Sequence, residues 1–72
     1  MDLKLLKIEK TFSGLYIVTV CIGLRTYDYF VQSAFALNLF EQFYARGFNG
    51  KALNVLKKFN VKKEVSNNEG NR

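Results

Sequence analysis

Apolar and polar residues alternate along the first part of the chain with the period of two that marks half-buried strands. This pattern predicts one strand from about Leu3 to Thr11 and a second from about Leu15 to Leu24. Phe12-Ser13-Gly14 lies between them and fixes the pairing. A two-residue turn would mix apolar and charged residues on both faces. A three-residue loop ending in Gly14, the residue best suited to the left-handed position of a G1 bulge, pairs Leu6 with Val20, Ile8 with Val18 and Lys10 with Tyr16. One face is then apolar, and the other sets Lys7, Glu9 and Thr11 against Thr19, Ile17 and Leu15. Register follows the pattern that separates the faces.

A turn around Leu24 to Thr26 leads into Tyr27 to Gln32, whose aromatic and β-branched content suits a third meander strand; its register stays open. After this the period lengthens to that of a helix. Ser33 is placed to cap Ala34 to Arg46, in which Asn38, Glu41, Gln42 and Ala45 share one polar stripe and the remaining circumference is apolar. Gly47 stops that helix, and Asn49 caps a second running to about Phe59. Ala52, Leu53, Leu56 and Phe59 form the apolar set of the second helix, with Val55 alongside, and Lys51, Asn54 and Lys58 lie on another side. The expected fold is α+β: a three-stranded antiparallel meander followed by two α-helices packed on one sheet face (βββαα). Residues 1–63 form a single small domain, and 64–72 form a polar, disordered tail.

At 72 residues, 49% hydrophobic and 15% aromatic, the chain has the composition of one folded domain. Its size allows burial of only about 60% of the unfolded surface, so self-association would add needed stability. A single cysteine in so small a chain argues against a disulfide framework and for a reducing, cytoplasmic compartment. Cys21 sits in a β-branched run and reads as a small hydrophobe. The longest apolar run, Leu15 to Leu24, is about half the length that crosses a bilayer, so no membrane partner is expected.

Charge is distributed unevenly. Residues 1–48 carry Lys4, Lys7, Lys10, Arg25 and Arg46 against Asp2, Glu9, Asp28 and Glu41, whereas residues 49–63 carry Lys51, Lys57, Lys58, Lys62 and Lys63 with no acid. That segment, with Arg46 nearby, is the candidate phosphate or nucleic-acid surface. Lysine predominates, which suits backbone phosphates better than bidentate base recognition. Lys57 and Lys58 also suit the negative end of the second helix's dipole without any ligand.

The inventory excludes much chemistry. Without histidine there is no Ser-His or Cys-His pair, and one cysteine with six scattered acids writes no zinc or calcium spacing. Asp28 between Tyr27 and Tyr29 comes nearest to an acid-base group and reads as a strand-end charge. The stretch from Gly47 to Ala52 fails as a phosphate-binding loop, because its glycines are too close, Ala52 stands where Ser or Thr is required, and a helix precedes it. No enzyme activity, cofactor, metal or small-molecule substrate is expected. Two helices can cover only one sheet face, so the outer face, with Leu15, Ile17, Cys21, Tyr27 and Tyr29, is the candidate protein interface. The expected function is that of a small non-catalytic regulatory or accessory protein, of the kind found in phages and mobile elements. It would act by binding a protein partner or by homodimerisation. The alternative is nucleic-acid binding through the C-terminal lysines.

Overall fold

A computed structural model describes residues 2–61 of the chain. Strands β1 (Leu3–Lys10), β2 (Tyr16–Ile22) and β3 (Arg25–Val31) form an antiparallel sheet in the order β1-β2-β3, followed by helices α1 (Ala34–Ala45) and α2 (Asn49–Phe59). The architecture is therefore the βββαα meander that the patterning predicts. The tail 64–72 lies outside the described residues.

The first hairpin closes through the three-residue loop. Thr11 N–H donates to the Leu15 carbonyl at 2.8 Å, Gly14 N–H donates to the Thr11 carbonyl at 3.1 Å, and Gly14 takes a φ of +89°. Beyond it, Ile8 pairs with Val18 and Lys10 with Tyr16, as expected. The Leu6–Val20 pair does not form. A β-bulge between Leu5 and Lys7 leaves Leu6 unpaired and 49% exposed, and Leu5 meets Val20 instead. The cause is legible in the order of residues: Leu6 and Ile8 belong to one phase of alternation, Leu3 and Leu5 to the other. One extra residue brings Leu3 and Leu5 to the buried face while leaving Lys4 and Lys7 outside.

The second turn also differs from expectation. It is the two-residue step Gly23-Leu24, with Gly23 at φ +63°, so β3 begins at Arg25. Tyr27 and Tyr29 then lie opposite Val20 and Val18. The helices cover that face, and Val18, Val20, Val31, Ala36, Phe40, Ala52 and Leu56 are fully buried between the layers.

The helix ends follow from local chemistry. Ser33 Oγ accepts from the Ala36 N–H at 3.2 Å and caps α1. At the other end Gly47, at φ +82°, donates to the Tyr44 carbonyl at 3.0 Å and Phe48 N–H donates to the Phe43 carbonyl at 2.9 Å, which together make a Schellman closure. The Phe43 and Phe48 rings supply its apolar contact at 6.4 Å. Phe48 is at once the residue that finishes α1 and the N-cap of α2, its carbonyl accepting from Ala52 N–H at 2.9 Å. Asn49 is therefore the first residue of α2 and not its cap, because the closure leaves no linker residue between the helices.

Two contacts join the layers at their margins. Tyr44 Oη on α1 accepts the Leu5 N–H at 2.9 Å, beside the bulge. After α2 the chain returns along β3: Asn60 bridges Val31, its Oδ1 accepts from Phe30 N–H at 3.0 Å, and Val61 N–H donates to the Phe30 carbonyl at 2.8 Å. That return covers the end of an otherwise open strand edge.

Candidate docking groove between the helices

Helix α1 carries more apolar surface than one sheet can cover. At about 100° per residue its apolar positions sweep roughly 200°, twice the stripe a core-facing helix needs. Ala36 and Phe40 point into the core, where both are fully buried. The adjoining side carries Phe35, Leu39 and Phe43, four residues apart, so they stack along one edge of the helix. Phe35 is 68% exposed.

Ala52, Leu53, Val55 and Leu56 of helix α2 are buried in the core, and Val55 with the half-buried Phe59 also borders a furrow against α1. Phe35, Leu39 and Phe43 from α1 with Val55 and Phe59 from α2 make the apolar lining of an open groove of about 390 Å³. Lys51, Asn54 and Lys58 form its polar rim. Lys51 and Lys58 are seven residues apart, two helical turns, which puts one ammonium toward each end of the furrow.

Aromatic rings hold both lysines in place. Lys51 Nζ lies 5.3 Å from the Phe48 ring centre and 5.9 Å from that of Phe43, and Lys58 Nζ lies 5.8 Å from that of Phe59. Exposed contacts of this kind contribute about 0.5–1 kcal/mol each, enough to bias a flexible side chain without neutralising its charge. Among the described residues neither lysine has a carboxylate within ion-pair distance; the ion pair there is Lys7–Glu9 at 3.6 Å, on the far side of the molecule.

The residues singled out from sequence are distributed over three places. Lys51 and Lys58 meet at the groove. Arg46 is the exposed C-cap of α1, and Lys57, though adjacent in sequence to Lys58, projects from another side of α2 and does not line the furrow. Lys62 and Lys63 lie outside the described residues.

The expected apolar outer sheet face needs a larger correction. Tyr27 and Tyr29 are on the opposite side, facing the helices, because their partners are the buried Val20 and Val18. Burial, followed by the neighbouring Tyr27, raises the Tyr29 phenol above its ordinary pKa. Ile17 and Cys21 do lie on the outer face, where the Cys21 thiol donates to the Gly23 carbonyl at 3.4 Å. Leu15 is half-buried at the hairpin neck, its N–H donating to Thr11 Oγ1 at 3.1 Å. Across the middle of that face runs a polar row, Lys7–Thr19–Asp28, in which the Thr19 hydroxyl donates to Asp28 Oδ1 at 2.7 Å.

The groove was missed because the lysines at its rim read as charge and the phenylalanines at its floor read as core. The available signal was the width of the apolar arc on α1. Compared with protein-family models, curated proteins and solved structures, the chain matches none, so its own geometry carries the functional reading. No helix among the described residues is long and apolar enough to cross a membrane.

Proposed function

We propose that the chain is a small non-catalytic regulatory or accessory protein that works by docking a segment of another protein into the furrow between α1 and α2. One observation carries this reading: Phe35, Leu39, Phe43, Val55 and Phe59 line one open groove, in which Phe35 is exposed, Leu39, Phe43 and Phe59 are half-buried and Val55 belongs to the core beneath. Rings in water at such a furrow gain about 25 cal/mol for each Å² they bury, and an apolar centre with a polar rim is the usual anatomy of a docking patch. The outer sheet face supports the reading less well, because Lys7, Thr19 and Asp28 occupy its middle.

The test is selection of binding peptides from a random displayed library on the full chain. The selected peptides are expected to lose most of their affinity on Phe35→Ser and to keep it on Ile17→Lys. Peptides that lose affinity on Ile17→Lys instead would move the docking surface to the sheet.

A further inference from the structure

From the rim charges and the dimensions of the furrow we infer that its occupant is an amphipathic helix with acidic flanks, contributed by a different protein. This rests on the docking reading above and adds the chemistry of the partner. Phe35 to Phe43 spans eight residues, about 12 Å along α1, which is a little over two turns. A third helix laid in the furrow would set apolar side chains at i, i+3 or i+4, and i+7 against the lining, the repeat of helix-in-groove recognition.

Charge decides which helix. Lys51 and Lys58 stand toward opposite ends of the furrow, two turns apart, and among the described residues no acid lines it. A docked helix therefore meets complementary charge when it carries Asp or Glu at two positions about seven residues apart, beside its apolar stripe. The same rim disfavours a second copy of this chain. A two-fold interface brings two copies of the same lysine-bearing patch together without supplying an acid from the described lining, on a protein of net charge +5. Nucleic acid is also a poorer fit. The ring faces of Phe43, Phe48 and Phe59 already carry ammoniums, which obstructs base stacking, and two lysines neutralise few phosphates.

The decisive experiment titrates the full chain with three dye-labelled peptides of about 15 residues, long enough to form a helix. All share leucines at i, i+3, i+4 and i+7, and they differ only in having Glu, Gln or Lys at the flanking positions. Fluorescence anisotropy is expected to rank Glu over Gln over Lys, with about tenfold or more between the extremes at low salt and a smaller gap at high salt. The Glu peptide should lose that advantage on Lys51→Gln/Lys58→Gln and bind weakly to Phe35→Ser. Circular dichroism checks that the variants fold, and the peptide series on the unaltered chain needs no variant at all.

Groove-dependent binding that ignores peptide charge overturns the acidic-helix assignment and leaves the docking reading standing. So does failure of all three peptides when library selection yields groove-dependent ligands. Binding unaffected by Phe35→Ser, or no ligand in either experiment, overturns both. Tighter binding to oligodeoxythymidine or to phosphatidylserine vesicles than to the Glu peptide, weakened by the same lysine changes, overturns the acidic helix in favour of a polyanion.

Discussion

The two layers of this protein present opposite kinds of outer surface. On the sheet side, polar groups answer one another: Thr19 donates to Asp28 across β2 and β3, and Lys7 pairs with Glu9 along β1. On the helix side, phenylalanines line an open furrow and the ammoniums at its rim rest on rings without a carboxylate among the described residues. Exposure alone therefore does not mark a docking surface. What distinguishes the two faces is whether their charged groups meet groups of opposite charge or hydrogen-bond partners among the described residues.

The largest expected effect comes from removing what holds the layers together. Phe40 is fully buried, its ring stacked at 5.8 Å on that of Tyr44. Phe40→Ala should cost about 3–5 kcal/mol and abolish the contrast by loosening both surfaces. Urea denaturation measures it, and a loss below about 1 kcal/mol would mean that the core collapses around the cavity or lies elsewhere.

A smaller effect tests whether the sheet face is satisfied internally. Thr19→Val keeps the shape and removes the donor to Asp28, so it should cost about 0.5–1.5 kcal/mol. No change in the denaturation midpoint would show the bond to be replaceable by water.

Tyr29 gives a pH-dependent test of the helix-facing side of the sheet. Because its phenol ionises at higher pH when folded than the ordinary value of 10.0, the folded chain holds the proton longer than the unfolded one. Its contribution to stability is complete below pH 10.0 and is lost as pH rises through the folded pKa. Tyr29→Phe should make the alkaline decline shallower, and an identical decline in both proteins would place the phenol in solvent.

The smallest expected effect on stability sharpens the contrast most. Phe35→Ser should alter stability by no more than about 0.5 kcal/mol, because the ring is mostly in water. It should nevertheless remove peptide docking. A loss of several kcal/mol would instead make Phe35 part of the core.

Local signals in the sequence were enough for the order of the elements and for several of their ends. Gly14 demanded a three-residue loop, Ser33 a helix start and Gly47 a helix stop, since each is decided by backbone conformation and hydrogen bonds within a few residues. Alternation separated the faces of β2 for the same reason. The bulge at Leu6 was written in the two phases of leucines in β1, but either phase satisfies a strand alone, and only packing beneath the helices selects both. The placement of Tyr27 and Tyr29 likewise depended on a turn whose length no single strand determines.

The groove lies furthest from what sequence determines. An apolar arc on α1 twice as wide as one interface needs states that some of it will be left over. Which side remains open depends on the angle at which α2 packs, and that angle is fixed by the closure through Gly47 and Phe48 and by the return of Asn60 and Val61 along β3. Composition and periodicity established how much apolar surface each helix carries, because those are properties of single elements. Which surface is buried and which is offered to a partner emerged only from assembly, because burial is a relation between elements distant in the chain.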